Sequence, residues 1–440
     1  MMKRIFLALA MAGLVGGCGV LSKGKKPTTP TIGQRISVLS SEAMVEVDPA
    51  LAATQVTLPA AEVNAAWAQP GGNASKSMGH LAMAASPTQA WRVSIGEGSG
   101  KKTQLAASPI FADGRLYTID AQAVVRAIDP QSGATLWRTA VRGADVTPGT
   151  LFGGGVSYDN GRLYATNGAG DAAALDAKTG AVAWIVRPAG PLRGAPTIAN
   201  DNVYVISQDN QLFALNPRDG KTRWNGSGSI ETAGVLGAAA PAAAQGTVVA
   251  GYSSGELTAY RYENGQVVWQ DALTRTSIST AVTSLSDIDA DPVIDQGRVF
   301  AIGQGGRMVA IELITGQRLW EMNVAGLSTP WVAGDWLFVV TDDARLLCVS
   351  RANGHVKWLT QLPHYHNVKK KSGVVDYSGP ILAGNRLILV DTDGNIVYVS
   401  PFDGTVQATI PTKMPISLAP IVANNTLFVL HENGMLTAWR

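Results

Sequence analysis

Short apolar runs separated by turn residues recur along the chain from residue 90 onward. One copy has a turn at Asn160-Gly161, two apolar runs, the triplet Ala174-Leu175-Asp176, and Gly180 four residues before Trp184. Apolar runs of this length, bounded by turn residues, are typical of antiparallel strands joined by hairpins. Their recurrence at intervals of about forty-five residues predicts a repeat fold in which neighbouring repeats bury each other's apolar faces.

The four-residue interval between Gly and Trp is the most constant feature of the repeat. A seventh copy has Gly404 but carries Ala408 in the Trp position, and an eighth stops at Trp439-Arg440, one strand short. The missing strand lies near the other end, where Trp91 and its neighbours resemble the last strand of a repeat. We therefore predict an all-β fold, an eight-bladed β-propeller of four-stranded antiparallel blades whose ring is closed by an N-terminal strand. The complete pairs are Gly133/Trp137, Gly180/Trp184, Gly220/Trp224, Gly265/Trp269, Gly316/Trp320 and Gly354/Trp358.

The N-terminal residues have the pattern of a bacterial export signal. Lys3 and Arg4 precede an apolar run over 5–15 that is too short to span a bilayer, and small residues come just before Cys18. We expect a signal peptide at 1–17 and a lipid anchor on Cys18. The alternative is a plain cleaved signal in which the Cys has no role.

The remaining boundaries follow from composition. Residues 18–88 are rich in Ala, Thr, Pro and Gly, and we expect them to form a flexible, lipid-anchored tether. The propeller is then expected at 89–440. Gly19, rather than Asp, after the lipidated Cys favours the outer membrane, so the predicted location is the periplasmic side of that membrane.

Charge and cysteine content add limits rather than a function. With 46% hydrophobic and 15% charged residues, the chain can bury a large core. A formal net charge of +2 with mixed signs predicts no attraction to nucleic acid. Cys348 lies in an apolar run and is expected to be a buried strand residue.

Motifs associated with catalysis or metal binding are present only in incomplete form. The run 251–255 matches the letters of a nucleophile elbow, but it lies in a predicted hairpin rather than a strand-to-helix turn. The run 287–291 begins like a calcium loop but lacks its Gly and final Glu. His364 and His366 lack a third zinc ligand. We predict no catalytic residue, no cofactor and no metal.

The repeat resembles that of two groups of proteins. The form Ala-Leu-Asp-x-x-Thr-Gly-x-x-x-Trp, present at 174–184, is similar to the repeats of quinone-cofactor (PQQ) dehydrogenases and of the BamB family, lipoproteins of the outer-membrane β-barrel assembly machinery. The dehydrogenases carry a vicinal Cys pair that this sequence lacks. The lipidation signal, the eight repeats and the run Leu285-Ser286-Asp287-Ile288-Asp289 resemble the BamB family over about 90–440.

The resemblance implies a non-catalytic scaffold that binds BamA, the barrel-forming subunit, and assists insertion of outer-membrane barrels. In that family two Asp, here Asp287 and Asp289, and a Leu-x-Leu-Arg segment one blade earlier contribute to binding BamA. That segment falls at 233–237, so Val235 and Leu236 are the matching partner-binding candidates, with Leu236 in place of the family's Arg.

Several alternatives stay open on the sequence alone. The acidic run can be a solvated loop or a partner contact. Unfolded barrel proteins are a second kind of expected partner, bound by strand addition to a blade edge. A PQQ-dependent oxidoreductase or a ligand-sensing periplasmic propeller is the alternative function, and either one uses the central funnel.

Overall fold

The computed structural model describes residues 45–143, 146, 150–151, 153–192, 194–230, 239–273 and 286–440. Within these residues, eight four-stranded antiparallel sheets account for nearly all regular structure. Each sheet is a meander of consecutive strands and forms one blade. The predicted eight-bladed all-β propeller is confirmed. The described residues contain no apolar helix of the length needed to span a bilayer.

The element bounds follow the repeats. In chain order they are the 3-10 turn Pro49–Leu51, β1 (Gln89–Ser94), β2 (Ile110–Ala112), β3 (Arg115–Ile119), β4 (Val124–Ile128), β5 (Thr135–Ala140), β6 (Val156–Asp159), β7 (Arg162–Thr166), β8 (Ala172–Asp176), β9 (Val182–Val186), β10 (Thr197–Ala199), β11 (Asn202–Ile206), β12 (Gln211–Leu215), β13 (Thr222–Ser227), β14 (Ala242–Ala244), β15 (Thr247–Gly251), β16 (Glu256–Arg261), β17 (Val267–Ala272), β18 (Val293–Asp295), β19 (Arg298–Gly303), β20 (Arg307–Glu312), β21 (Arg318–Met322), β22 (Trp331–Ala333), β23 (Trp336–Val340), β24 (Arg345–Ser350), β25 (Val356–Gln361), β26 (Tyr365–Asn367), β27 (Ser372–Val374), β28 (Tyr377–Ala383), β29 (Arg386–Asp391), β30 (Asn395–Val399), β31 (Val406–Pro411), β32 (Ile421–Ala423), β33 (Thr426–Leu430) and β34 (Met435–Trp439).

The strands group into blades in chain order. Blades 1 to 7 are β2–β5, β6–β9, β10–β13, β14–β17, β18–β21, β22–β25 and β28–β31, while β26 and β27 form a separate hairpin. Blade 8 consists of β32, β33, β34 and β1, with Arg92 paired to Thr437 and Val93 to Leu436. The prediction that an N-terminal strand closes the ring is therefore confirmed.

A Trp–Gly contact joins seven of the eight blades to the next. The indole of Trp224, on β13, covers Gly265 in the turn between β16 and β17, and a Cβ on that glycine would lie 2.5 Å from the ring. The indole N–H donates to the carbonyl O of Tyr262 in the same turn, at 2.9 Å. The recurring Gly/Trp motif is thus an inter-blade latch. Across the described residues the latches are Trp91/Gly133, Trp137/Gly180, Trp184/Gly220, Trp224/Gly265, Trp269/Gly316, Trp320/Gly354 and Trp358/Gly404.

The junction from blade 7 to blade 8 lacks this latch for a topological reason. In blade 8 the third and fourth strands come from distant parts of the sequence, so no turn with a glycine joins them to receive an indole. In blade 7 Tyr398 pairs with Ala408, whereas Cys348 pairs with Trp358 in blade 6. The large and small side chains have exchanged strands in blade 7. The expected burial of Cys348 is confirmed, and its small thiol leaves room for Trp358.

Residues 45–88, which we call the strap, lie against the propeller. Val56, Trp67 and Leu81 are buried, and the Trp67 ring stacks on that of Trp331 with centroids 6.0 Å apart. The expectation of a flexible tether up to residue 88 is therefore wrong for this segment; residues 18–44 lie outside the described residues. The strap shows no sequence period because it makes a different contact with each blade and pairs with itself at only a few positions, such as Glu62 with Leu81.

The middle of the strap contacts the first strand of every blade. In a propeller these strands surround the central channel, so the strap covers their inner edges and closes one end of the channel. Around the ring the contacts join Asn64 to Val422, Trp67 to Phe111, Ala68 to Tyr158, Gln69 to Ile198, Ala74 to Ala243, Ser75 to Ile294, Gly79 to Trp331 and Leu81 to Leu382.

The beginning of the strap pairs with an outer strand instead. Val47 forms a parallel bridge with Val356 on β25, the last strand of blade 6, and the Asp48 N–H donates to the carbonyl O of Val356 at 2.8 Å. The Asp48 carboxylate also bonds His355 at 2.5 Å. One extended segment of this chain thus adds to a blade edge.

Candidate functional site

The loops opposite the strap form one continuous face. The turns that follow the first strand of a blade contact the strap, as Gly334 and Gly384 do. Because successive strands run antiparallel, the loops between blades and the hairpins between second and third strands lie at the other end of the channel. We call this end the loop face.

The acidic run 287–291 lies on the loop face between blades 4 and 5. Asp287 is only 1% exposed, and Asp289 is half-buried beside the channel. Asp291 accepts a hydrogen bond from the Ala240 N–H at 2.7 Å, and its own N–H donates to Thr329 at 3.1 Å. The interpretation as a solvated loop is wrong for Asp287 and Asp291, because the run is tied to loops on both sides of it.

The other partner-binding candidates are not placed by the structure. Val235 and Leu236 lie outside the described residues, as does Cys18. Their predicted roles therefore stay predictions. Val235 and Leu236 are close in sequence to Ala240, whose N–H donates to Asp291.

A deep funnel opens at the centre of the loop face. Its cavity of about 790 Å³ has apolar walls that include Leu105, Leu192 and Leu418. Hydroxyl and amide side chains from several blades alternate with these apolar groups. Among the described residues that line it, the charged ones are all acidic, namely Asp289, Asp342, Asp376 and Glu432.

A smaller chamber lies beneath the funnel. Its volume is about 250 Å³, and it shares Asp289 and Ser328 with the funnel above. The strap supplies its floor through Trp67 and Lys76. The channel is therefore a blind pit, open at the loop face and closed by the strap.

Lys76 is an unusual residue for the floor of such a chamber. Its ammonium is buried and donates to Thr197 Oγ1 at 3.1 Å. It also has a favourable electrostatic interaction with the Asp291 carboxylate. Burial lowers the pKa of Lys76 to about 8, and the nearby Asp291 opposes this shift. Burial in turn raises the pKa of Asp291, which Lys76 and the Ala240 N–H oppose. The strap and the acidic run are thus electrostatically linked.

The reactive groups of the sequence are held in inert arrangements. Ser253 lies in the hairpin between β15 and β16, where its hydroxyl donates to Asn210 Oδ1 at 2.9 Å. Burial raises the pKa of Cys348. His366 bonds Asp393 on an exposed hairpin. Within the described ranges no three His, Cys, Asp or Glu side chains come together to hold a metal ion.

Sequence reasoning missed the strap and the pit that it closes. The one feature of the sequence that indicates packing of this segment is Trp67, a lone aromatic residue among Ala, Thr, Pro and Gly. Lys76 gave no signal, since an isolated lysine in such a segment is normally solvated.

Comparison with known proteins identifies the family. The family model described as outer membrane protein assembly factor BamB matches residues 77–151 and 121–360. A relative of that name from Vibrio cholerae is 31% identical over 352 residues, covering 80% of this chain and 88% of the relative. The one from Escherichia coli K12 is 27% identical over 389 residues, with 79% and 87% covered.

Solved structures share the fold. BamB from Moraxella catarrhalis superposes with a TM-score of 0.68 at 21% identity, covering 80% of this chain and 99% of that one. A quinohemoprotein alcohol dehydrogenase from Pseudomonas putida gives a TM-score of 0.64 at 12% identity, with 85% and 80% covered. The likeness to an enzyme is thus a likeness of fold alone. Repeat, ring closure and family match agree, and the chain belongs to the BamB family of outer membrane protein assembly factors.

Proposed function

We propose that this chain is a non-catalytic scaffold of the β-barrel assembly machinery, held by a lipid on Cys18 at the periplasmic side of the outer membrane. Its relatives are named as outer membrane protein assembly factors. On this proposal its loop face binds the barrel-forming subunit, a BamA-like protein, and the complex assists insertion of outer-membrane barrels.

The observation that carries the proposal is the fixed position of the acidic run between blades 4 and 5. Hydrogen bonds of Asp291 to Ala240 and Thr329 hold the run in place, and Asp289 lines both the funnel and the chamber beneath it. A contact held this firmly loses little conformational entropy when a partner binds. On this proposal the buried Asp287 positions the loop, and the half-buried Asp289, which lines the funnel, contacts the partner.

The alternative of a quinone-dependent oxidoreductase receives no support from the funnel. The quinone cofactor of those enzymes carries carboxylates. The charged side chains that line the funnel, in the part of the chain that the structure describes, are carboxylates as well. Like charges in a partly buried site repel strongly. We therefore assign no cofactor and no enzymatic reaction to this chain.

A second kind of partner, the unfolded barrel strand, is supported by the contact between the strap and blade 6. Val47 and Asp48 bind β25 through backbone atoms, which is the interaction that a client strand would make with a free blade edge. The outer strands also carry exposed apolar side chains such as Leu136, Val267 and Leu319. Backbone pairing of this kind tolerates many client sequences.

The test is co-purification from the native envelope. The full-length lipoprotein, solubilised in detergent, is used to capture its partners before and after the double change Asp287→Asn and Asp289→Asn. We expect the barrel-forming subunit to co-purify with the parent. The amount captured by the variant should be at least about tenfold lower, because loss of a desolvated charge contact costs a few kcal/mol of binding free energy.

A matched control removes two charges from the opposite face through Asp113→Asn and Glu263→Gln, and it should retain full capture. If the barrel-forming subunit is absent from the parent sample, or is retained equally by both variants, the assigned contact is wrong.

A further inference from the structure

The funnel is a built cavity whose chemistry selects one kind of occupant. Its volume of about 790 Å³ lies within the range of ligand-binding sites, and its floor is closed by the strap. An occupant must therefore enter and leave by the loop face. A long segment cannot thread through the ring.

The charge around the mouth is one-sided. The acidic side chains come from four separate places, Asp289 before blade 5, Asp342 in blade 6, Asp376 before blade 7 and Glu432 in blade 8. The residues that line the funnel within the described part of the chain include no Lys, Arg or His. Burial and the neighbouring Asp343 raise the pKa of Asp342, so a bound cation would relieve an existing repulsion.

The walls between these charges are apolar and hydroxyl-bearing. Leu327, Val340 and Leu418 supply apolar surface, while Ser328 and Thr341 supply groups that can bond a peptide backbone. A small monovalent cation would reach only one of the four separated carboxylates. A chain with several cationic side chains can reach more than one at once.

We propose that the funnel binds an extended peptide segment that combines Lys or Arg with apolar side chains. The cationic groups contact Asp342, Asp376 and Glu432 at the mouth, and an apolar side chain enters the pit between Leu327 and Leu418. The proposed charge contacts of this site are with Asp342, Asp376 and Glu432 and include neither Asp287 nor Asp289. It does not depend on the contact proposed for the barrel-forming subunit.

The test uses the purified full-length lipoprotein in detergent and three labelled octapeptides, with Lys and Leu alternating, Glu and Leu alternating, and Lys and Ser alternating. Fluorescence anisotropy measures the dissociation constants. We expect only the Lys/Leu peptide to bind well. The triple variant Asp342→Asn, Asp376→Asn and Glu432→Gln should weaken it about tenfold, since three partly exposed charge contacts are lost.

Two further variants separate this site from general charge attraction. Asp113→Asn, Asp219→Asn and Glu263→Gln remove the same charge from turns at the strap end and should leave the affinity unchanged. Ser328→Trp keeps all the charges but fills the passage, and it should abolish binding while the melting temperature stays near that of the parent.

Three outcomes would overturn the proposal. They are equal binding of the Lys/Leu and Glu/Leu peptides, equal weakening by the two triple variants, and full binding by Ser328→Trp. Capture of the barrel-forming subunit is a separate readout, so loss of one interaction does not imply loss of the other.

Discussion

The blades and the strap are stabilised in opposite ways. The blades repeat one local contact, in which an indole of one blade covers a glycine turn of the next. The sequence therefore shows this contact as a regular repeat. The strap makes a different contact with each blade, and its backbone groups pair with strands distant in sequence. A single sequence is enough to predict a periodic structure, but it is not enough to predict a structure that depends on individual long-range contacts.

The comparison also shows what closes the molecule. β1 closes the ring of blades, because it supplies the fourth strand of blade 8. The strap closes the central channel at one end, by covering the inner edges of the first strands. Both devices remove exposed strand edges, which are sites of unwanted association.

The largest effect is expected from cutting the strap's anchor. Trp67→Ala removes a ring that is 4% exposed and stacked on Trp331. We expect a loss of about 4 kcal/mol in the free energy of unfolding, as for other buried large-to-small changes. Chemical denaturation measures it, with Val63→Ala at a 56% exposed strap position as the control. If Trp67→Ala lowers the free energy of unfolding no more than Val63→Ala does, the Trp67 contact of the strap adds no stability.

A latch between blades should be worth somewhat less. Gly265→Ala would force a Cβ to within 2.5 Å of the Trp224 ring, and we expect a loss of about 2 to 3 kcal/mol. Gly114 has a similar positive φ of 69° but open space around it. Gly114→Ala should therefore cost only the backbone strain of about 1 kcal/mol. Thermal unfolding of the pair separates crowding from strain, and equal losses would contradict the latch.

The buried amine of the strap gives a pH signature. The pKa of Lys76 is lowered to about 8 in the folded state, so between that pH and the unfolded value the unfolded chain binds more protons. Stability must then rise with pH over this interval, by about 1 kcal/mol between pH 7 and 9. Denaturation at both pH values, compared with Lys76→Met, isolates this contribution. The same slope in parent and variant would show that Lys76 is not the source.

The smallest effect is expected where the latch is missing. Ala408→Trp restores the repeat pattern of blade 7, but no glycine turn in blade 8 is there to receive the ring, and Tyr398 already occupies the space across the strand. We expect a change below about 1 kcal/mol in unfolding free energy. A gain of several kcal/mol would show that the Trp acts within its own blade.

The sequence predicted the periodic part of the molecule, whereas the partner-binding residues that it indicates stay predictions. Eight blades, ring closure by the strand around Trp91 and burial of Cys348 all followed from spacing and apolar runs. Asp287 and Asp289 were singled out by resemblance to the BamB family. Their different burial was not foreseen, because it depends on loops of other blades that meet only in the folded chain.

The funnel was beyond reach of the sequence for the same reason. Its acidic side chains are distant in sequence, with Asp289 more than a hundred residues from Glu432, and Asp342, Asp376 and Glu432 belong to no motif. The composition of the strap predicts a tether, because Ala, Pro and Gly are common in flexible linkers. The same residues are equally common in extended segments that pack against strands of the fold. Only tertiary contacts distinguish the two.

The most direct test of the assembly role is a reconstituted folding reaction. The barrel-forming subunit is placed in phospholipid vesicles, and the rate of folding of a urea-unfolded outer-membrane barrel is measured with and without the lipidated chain. We predict a faster rate with the chain and loss of that gain with Asp287→Asn and Asp289→Asn. The same rate with and without the chain, at saturating concentration, would contradict the proposed function.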